Sequence, residues 1–438
     1  MRLSFPCALA VAALTIGCTA MARATPSGPE GAASMAPVAA ACETGIFRKD
    51  GASFIAITRS NKGYDYSFSD GTLGNANDAS AVVACGAGAG AVRVRGQDNW
   101  AKVAVAETNT VFVSDGVMLA GRLMAPPGAD AHTPLVVIAH GSEEGGWIDR
   151  ARDPYQMVGR GIAVFVYDKR GTGLSKGAYT QNLPQLGNDL VAAAQEAKRL
   201  ARDQYGGYGR FGLFGLSQGG WVAPLAAVRA KAEFIGIGYG LAVDIAEQDA
   251  AQVSLELRER GLGEDVVAKG RMLSDTTARL VKSGYKDGVD ELAAAQAQFG
   301  KERWFARIKG GYTGVVLGMS VDDLRNRGIP HLDKLGVDWS LEPVQILAGI
   351  DIPQLWAFAG EDRQAPIALT LERLSALRKQ GKDISIYIFP DTEHGMWNYV
   401  QAADLSRKHT RIAAGFYDLM ADWARGGVEG RYGKAERR

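Results

Sequence analysis

The chain has 438 residues, of which 47% are hydrophobic. This length is enough for two or three domains with a large buried core. Its 49 Lys and Arg residues are nearly balanced by 48 Asp and Glu residues, and a net charge so close to zero gives no electrostatic reason to expect a nucleic-acid partner. Nothing in the composition indicates an oligomeric state.

The N-terminus has the pattern of an export signal. A basic residue precedes a short apolar run, and Ala22 and Ala24 form a small-x-small cleavage pattern, so residues 1–24 are predicted to be a signal peptide. Acylation of Cys18 as a lipoprotein is the alternative. We expect an exported protein, periplasmic or secreted. No later run of apolar residues is long enough to predict a membrane span.

The next part of the chain is predicted to be a linker and a small β-rich domain. Residues 25–41 are rich in Pro, Gly, Ala and Ser and predict a linker, whereas residues 42–107 contain short β-like runs separated by turn residues. The aromatic alternation of residues 64–68 fits a half-buried strand or a sugar-binding face. Cys42 and Cys85 are predicted to form a disulfide in an exported chain, with two unlinked buried thiols as the alternative.

From residue 108 onward, strands alternate with helices, as is typical of a parallel sheet covered on both faces. An amphipathic helix is predicted at residues 186–204 between two of the strands. The predicted strands are 110–114, 118–124, 134–139, 162–167, 211–214, 233–238, 353–359 and 384–389.

Residues 242–349 interrupt this alternation and are predicted to be a helical cap. An all-helical insertion between two strands of one sheet cannot join that sheet, so it should lie over its edge. The predicted cap helices are 245–260, 264–283 and 289–299. The core, residues 108–241 and 350–426, is expected to close with a helix at 405–423, and residues 427–438 are expected to be a loose tail.

One five-residue segment carries the strongest chemical signal. Gly215-Leu216-Ser217-Gln218-Gly219 fits the G-x-S-x-G pattern of a nucleophile elbow. An apolar strand is predicted before it and a helix after it. The small flanking residues would let a strained turn hold the serine hydroxyl clear at the top of the sheet.

A serine hydroxyl is a poor nucleophile near neutral pH, so acyl transfer needs a base in hydrogen-bond reach and a third group that orients the base. Among the five histidines, His394 follows a predicted core strand and is flanked by Gly395, whereas His140, which also follows one, is expected to orient the backbone of its own loop. Asp362 stands in the loop after the preceding strand. The chain order Ser217, Asp362, His394 is therefore predicted to form a catalytic triad. The alternative acids are Glu361, Asp391 and Glu393.

Taken together, these segments resemble the α/β-hydrolase superfamily, and within it the secreted bacterial esterases and serine-aminopeptidase-like hydrolases. The resemblance covers about 109–426 without the cap. It implies an α/β-hydrolase fold, which is a mostly parallel sheet with helices on both faces, here with a helical cap and a small N-terminal β-rich domain. The matching residues are His140-Gly141-Ser142, the segment from Tyr167 to Gly173, Gly215 to Gly219, Gly360-Glu361-Asp362 and His394-Gly395.

The resemblance also implies the role of each site residue. Ser217 would be the nucleophile, His394 the base and Asp362 the residue that orients the base. The backbone N–H groups of Ser142 and Gln218 would form the oxyanion hole. No cofactor is implied, and no Cys/His cluster has the spacing of metal ligands.

Glu143 and Glu144 depart from the family pattern, which commonly has small residues after the His-Gly-Ser segment. Two carboxylates beside an oxyanion hole should oppose anionic substrates, or one could bind a substrate amine. We expect Glu143, Glu144 and Trp221 to contact the substrate. The sequence therefore predicts a serine esterase that works through an acyl-enzyme. A serine aminopeptidase or acyl-peptide hydrolase is the alternative, and a non-catalytic binding protein on a hydrolase scaffold is the second.

Overall fold

The computed structural model describes residues 42–49, 51, 53–85 and 92–438. The predicted signal peptide, residues 1–24, and the predicted linker, residues 25–41, lie outside the described residues. Within the described ranges, no helix has both the length and the apolar character needed to span a membrane.

The N-terminal region forms a seven-stranded antiparallel sheet in the order β4-β3-β2-β1-β7-β6-β5. Tyr66 is buried within its small core, so the aromatic strand is half-buried as one interpretation predicted. Cys42 and Cys85 are paired as a disulfide, with Cα atoms 5.2 Å apart. The strands are β1 (Gly45–Arg48), β2 (Phe54–Ser60), β3 (Gly63–Phe68), β4 (Leu73–Asn75), β5 (Val83–Cys85), β6 (Val92–Val94) and β7 (Gln97–Lys102).

A nine-stranded sheet forms the centre of the molecule, in the order β19-β15-β14-β13-β12-β10-β11-β9-β8. The six strands from β15 to β11 in this order run parallel to one another, and the outer strands are antiparallel. The remaining strands of the chain are β8 (Ala106–Ser114), β9 (Val117–Ala125), β10 (Leu135–Ala139), β11 (Ala163–Tyr167), β12 (Phe211–Leu216), β13 (Phe234–Gly238), β14 (Gln354–Ala359), β15 (Ile384–Phe389), β16 (Thr392–Glu393), β17 (Trp397–Gln401), β18 (Arg407–Ile412) and β19 (Glu436–Arg437).

Alternating side chains of the central strands build two separate cores, because successive residues of a strand face opposite sides of the sheet. In β10, Leu135 and Val137 belong to one core, and Val136 and Ile138 belong to the other. The flanking helices are α1 (Arg152–Val158), α2 (Leu183–Tyr205), α3 (Gly219–Ala227), α11 (Ala368–Lys379) and α12 (Phe416–Arg425). This architecture is the predicted α/β-hydrolase fold.

The cap is helical, as expected, and has its own hydrophobic core. Its first three helices begin at the predicted residues and end within one residue of the predicted ends. The cap helices are α4 (Ile245–Glu259), α5 (Glu264–Lys282), α6 (Val289–Phe299), α7 (Thr313–Gly318), α8 (Val321–Asp323), α9 (Ile329–Leu335) and α10 (Pro343–Ala348). A 3-10 turn lies at Phe305–Arg307 and a π-helical turn at Leu324–Gly328.

The predicted helix at 405–423 is wrong in its first half. Those residues form the turn and second strand of the β17–β18 hairpin, and α12 begins only at Phe416. Leu405 and Gly415 both have positive φ, at 68° and 86°, which a continuous right-handed helix excludes. The backbone N–H of Ile412 instead donates to the carbonyl oxygen of Gly71, so long-range strand contacts override local helix propensity.

The expected loose tail at 427–438 is also wrong, because its end joins the central sheet. Strand β19 pairs antiparallel with β15. Tyr432 is 3% exposed and its hydroxyl donates to Asp422 at 2.9 Å. A buried aromatic ring and an edge-strand pairing together fix a segment whose polar composition suggested disorder.

Candidate active site

Ser217 lies on a sharp turn between β12 and α3. Its φ is 53°, a left-handed conformation that is strained for a residue with a side chain. Glycine is required on both sides of the turn. A Cβ atom on Gly219 would lie 1.9 Å from the carbonyl oxygen of Ala139, and one on Gly215 would lie 2.2 Å from that of Gly219. The spacing of small residues in the sequence therefore reflects close backbone contacts around Ser217.

The structure brings Ser217, His394 and Asp362 together at the carboxyl edge of the sheet. Ser217 Oγ and His394 Nε2 are 2.8 Å apart. His394 Nδ1 and Asp362 Oδ2 are also 2.8 Å apart. The Asp362 side chain is 1% exposed, and its Oδ1 accepts a hydrogen bond of 2.7 Å from the backbone N–H of Ala365. One carboxylate oxygen is thus fixed by the backbone and the other faces the imidazole.

The electrostatics of His394 suit a general base. Burial lowers the pKa of the imidazole, but the charge and hydrogen bond of Asp362 outweigh burial and raise the pKa above its ordinary value of 6.5. Tyr239 packs edge-on against the ring, with centroids 5.2 Å apart. The ring is therefore held in one orientation by a carboxylate and an aromatic side chain.

The three alternative acids have partners away from the imidazole. Glu361 is the nearest in sequence to Asp362, but its carboxylate accepts from the hydroxyl of Tyr399. Their partners are Tyr399 for Glu361, Lys434 for Asp391, and Arg407 together with His409 for Glu393. Asp362 is the acid that contacts His394 Nδ1.

Ser142 and Gln218, the expected oxyanion-hole residues, both line a small pocket together with Ser217. Ser142 follows β10, and Gln218 follows Ser217 at the start of α3. Among the described residues, neither backbone N–H donates a hydrogen bond to the protein. Two free N–H groups beside a serine hydroxyl are the donors that a developing oxyanion needs.

A buried lysine, Lys169, contacts both the residue before Ser142 and the side chain of Gln218. The sequence did not predict a role for this residue at the oxyanion hole. Lys169 is 3% exposed. Its Nζ donates to the carbonyl oxygen of Gly141 and, at 3.2 Å, to Oε1 of Gln218. Burial lowers the pKa of Lys169 to about 8, although Glu143 nearby opposes this shift. The only signal in the sequence is that Lys169 lies two residues after a core strand, in a Gly-rich loop, which does not distinguish a buried cation from a solvated one.

Asp168 and His140 support the loop that carries Ser142. Asp168 Oδ1 accepts from the backbone N–H of Trp147 at 2.6 Å, and Oδ2 accepts from that of Leu174 at 2.9 Å. The His140 ring stacks on Trp147, with centroids 4.8 Å apart, and its Nδ1 lies 3.2 Å from Glu143 Oε2. Burial lowers the pKa of His140, so the ring is neutral near neutral pH.

A cavity of about 490 Å³ opens onto Ser217 and His394. Glu143 lies on its wall with 57% of its side chain exposed. Burial raises the pKa of Glu143, but His140 and Lys169 outweigh burial and lower the pKa to about 2.

The other two expected substrate contacts are placed differently. Glu144 is exposed and is not among the cavity-lining residues. Trp221 is 8% exposed, and its Nε1 donates to the carbonyl oxygen of Val243 at 2.8 Å. It lines the small pocket beside Ser217 and not the larger cavity. Within the described ranges, no group of three or more His, Cys, Asp or Glu is placed to hold a metal ion.

Residues 130–255 match the family described as serine aminopeptidase, S33. This segment contains the oxyanion loop, the elbow and the start of the cap. A comparison with curated protein sequences gives no match.

Several solved structures are similar in outline. The Pyrococcus horikoshii acylaminoacyl peptidase is 15% identical, with a TM-score of 0.42, over 81% of this chain and 46% of its own. This chain therefore spans about half the length of that peptidase. A Pyrococcus furiosus esterase is 14% identical with a TM-score of 0.41, over 67% of this chain and 84% of its own. A bacterial brefeldin A esterase is 17% identical with a TM-score of 0.40, over 67% of this chain and 70% of its own.

The sheet order, the strained serine and the matched segment identify the chain as a member of the α/β-hydrolase superfamily. Within that superfamily, the central segment at residues 130–255 is similar to the serine aminopeptidase family. The superfamily resemblance predicted from the sequence is confirmed.

Proposed function

We propose that this protein is a serine hydrolase that cleaves carboxylic esters through an acyl-enzyme on Ser217. The observation that carries the proposal is the continuous line of hydrogen bonds from Ser217 through His394 to Asp362, at the edge of a cavity that can admit a substrate. Nucleophile, base and orienting acid each have the contact that their role needs.

The geometry supports the following sequence of steps. Ser217 Oγ attacks the ester carbonyl carbon while His394 Nε2 takes its proton, and Asp362 stabilises the imidazolium. The carbonyl oxygen becomes an oxyanion bound by the N–H groups of Ser142 and Gln218. His394 then gives its proton to the leaving alkoxide. A water molecule, deprotonated by His394, attacks the acyl-enzyme, and the proton returns to Ser217 as the acid is released.

We propose that Lys169 positions the oxyanion hole. Its ammonium bonds the backbone just before Ser142 and the side chain of Gln218, so one cation fixes the loops that supply both oxyanion donors. A buried positive charge near the pocket also favours a developing negative charge. Lys169 acts through these contacts and does not touch the substrate.

A serine aminopeptidase is the second candidate, because of Glu143. Its carboxylate lies on the cavity wall, is half-exposed and stays ionised over the physiological range. A carboxylate in this place could pair with the α-ammonium group of a peptide. The match of residues 130–255 to the serine aminopeptidase family favours the same alternative.

We also propose that the protein is exported and that residues 1–24 are removed. The N-terminal charge and apolar pattern supports this, and so does a disulfide between Cys42 and Cys85, since such bonds persist in oxidising compartments. Fractionation of cells that express the full chain, followed by mass measurement of the product, tests it. A product that retained its first residues in the cytoplasm would contradict it.

Substrate assays separate the candidate functions. Purified protein is incubated with p-nitrophenyl acetate and butyrate, and separately with aminoacyl p-nitroanilides. We expect ester cleavage that Ser217→Ala lowers by about 10³-fold or more. Ser340→Ala removes a surface hydroxyl that bonds Asp338 in the cap and should leave the rate unchanged. Preferred cleavage of the anilides would favour the aminopeptidase, and equal rates for wild type and Ser217→Ala would favour a non-catalytic scaffold.

A further inference from the structure

Arg152 places a guanidinium group on the wall of the active-site cavity. The residue begins α1 and lines the same cavity as Ser217 and His394. Its guanidinium carbon lies 4.7 Å above the ring of Trp397, which follows His394 in the chain by three positions. The cation therefore lies beside the loop that carries the catalytic base.

Arg152 has hydrogen-bonding capacity to spare. Its Nε donates to the hydroxyl of Tyr417 at 3.3 Å. In the part of the chain that the structure describes, neither of its two terminal nitrogens donates a hydrogen bond or forms an ion pair. The planar end of the side chain, with its parallel N–H donors, is thus available to a molecule in the cavity.

The two other arginines of the cavity are already bonded. Arg363 forms an ion pair with Glu259 and donates to the carbonyl oxygen of Leu405 at 2.8 Å. Arg150 donates to Oδ1 of Asn61 at 2.6 Å and is exposed at the mouth. Arg152 differs from both because its terminal nitrogens have no protein partner among the described residues.

Three carboxylates line the cavity, and within the described ranges none of them forms an ion pair with Arg152. Glu143 is hydrogen-bonded to His140, and Glu393 pairs with Arg407 at 3.1 Å. Asp153 accepts from the hydroxyl of Tyr417 at 2.7 Å. Burial lowers the pKa of Arg152, but Tyr417 and Asp153 outweigh burial and raise it above its ordinary value, so the guanidinium stays charged.

We propose that Arg152 binds a carboxylate group of the substrate, so that the enzyme prefers esters or short peptides that carry a negative charge near the scissile bond. This inference rests on the proposed serine hydrolase function. The planar fork of Arg matches a carboxylate with two parallel hydrogen bonds. A singly charged carboxylate suits the cavity better than a phosphate dianion, which the nearby Glu143, Asp153 and Glu393 would repel. The expectation from the sequence that Glu143 and Glu144 oppose anionic substrates stays a prediction, and the assays below test both.

Matched pairs of esters test the proposal. The first pair, p-butyryloxybenzoate and p-butyryloxybenzamide, differs in charge on the leaving group. The second pair, the p-nitrophenyl monoester of glutaric acid and its methyl ester, differs in charge on the acyl group. For each pair, the ratio of kcat/KM for the charged ester to that for the neutral ester is measured in wild type and variants. Intrinsic reactivity is the same for every variant and cancels from the comparison.

We expect Arg152→Gln to lower this ratio by about 10- to 100-fold in at least one pair, chiefly through KM, since hydrogen bonds to charged groups have this magnitude. Arg152→Lys should recover part of the loss because it keeps the charge without the fork. Arg199→Gln, the matched control, removes an exposed arginine of α2 that pairs with Glu196 and Asp203 and does not line the cavity, so it should keep the wild-type ratio. Unchanged ratios in both pairs, or equal losses on charged and neutral esters, would overturn the proposal.

Direct binding separates this inference from the proposed function. Calorimetric titration of wild type and Arg152→Gln with benzoate needs no turnover. Weaker binding to Arg152→Gln, by about 10-fold or more, supports the carboxylate site even if no ester is cleaved. Cleavage of all four esters by wild type, with unchanged ratios and equal benzoate affinity in the variant, supports the hydrolase and refutes the carboxylate site.

Discussion

Replacing Asp362 by Asn tests the orienting acid, because the structure dictates how the new amide must sit. Asp362 Oδ1 accepts from the backbone N–H of Ala365, and Oδ2 faces His394 Nδ1. In Asp362→Asn the amide oxygen should keep the bond to Ala365, so the NH₂ group turns toward His394. The imidazole then accepts at Nδ1 and carries its proton on Nε2, where it cannot take the proton of Ser217.

The size of the effect follows from this change of tautomer and from the lost charge. The Asp362 side chain is 1% exposed, so solvent cannot replace its interaction with the imidazolium. We expect kcat on a p-nitrophenyl ester to fall by about 10²- to 10⁴-fold, or about 3 to 5 kcal/mol of transition-state stabilisation. The assay is steady-state kinetics, with circular dichroism to check that the variant is folded.

The pH profile gives an independent measure of the same contact. His394 must be neutral to act as the base, so kcat/KM rises with pH through its pKa, which Asp362 raises above 6.5. In Asp362→Asn burial still lowers the pKa of His394, and only the smaller effects of Glu143 and Glu393 oppose it, so the acid limb of the residual activity should move to lower pH.

Glu361→Gln is the matched control. Glu361 bonds Tyr399 and does not contact the imidazole, so its replacement should change kcat by less than about 3-fold. A larger loss from Glu361→Gln than from Asp362→Asn would refute the assignment of the acid.

Two further predictions concern Lys169 and the disulfide. Lys169 loses its charge as the pH rises through about 8, so kcat should decline above that pH. Lys169→Met should lower kcat by about 10-fold or more with little change in KM. A wild-type pH profile of kcat that stayed flat well above pH 8, or a fully active Lys169→Met, would exclude a positioning role. Cys42 and Cys85 should resist alkylation until they are reduced, and alkylation of both thiols in unreduced native protein would contradict the disulfide. The bond closes a separation of 43 residues, so it should stabilise the N-terminal sheet by about 3 to 4 kcal/mol in the chain-entropy model. Thermal unfolding of the double variant Cys42→Ser with Cys85→Ser measures this stabilisation.

Local patterns predicted the parts of the fold that depend on local burial. The strands of the central sheet were recognisable because parallel strands buried on both faces are continuous apolar runs, and the first cap helices follow their apolar periodicity. The helix prediction for 405–423 was wrong because long-range contacts determine the conformation of that segment. Its conformation depends on β18 pairing with β17 and on a hydrogen bond to Gly71, which lies more than three hundred positions away. No local pattern encodes such a contact.

The same distinction applies to the site. The sequence predicted the triad of Ser217, Asp362 and His394 because each residue follows a core strand, and the carboxyl ends of parallel strands share one edge of the sheet. Lys169 and Arg152 could not be assigned from sequence, because a cation is usually solvated. Their roles depend on their three-dimensional surroundings. Lys169 donates to the carbonyl oxygen of Gly141 and to Oε1 of Gln218, and Arg152 lies over the ring of Trp397.

Covalent labelling tests directly whether Ser217 is the nucleophile. Wild-type protein is treated with a fluorophosphonate, and the modified residue is located by peptide mass spectrometry. We predict one adduct per chain, on Ser217, which forms far more slowly in His394→Ala and is absent from Ser217→Ala. Ser217 lies on a strained turn, and its Oγ is 2.8 Å from His394 Nε2, the contact through which a general base would activate it. Failure of wild type to react, or an adduct on another residue that persists in Ser217→Ala, would contradict the assignment of this protein as a serine hydrolase.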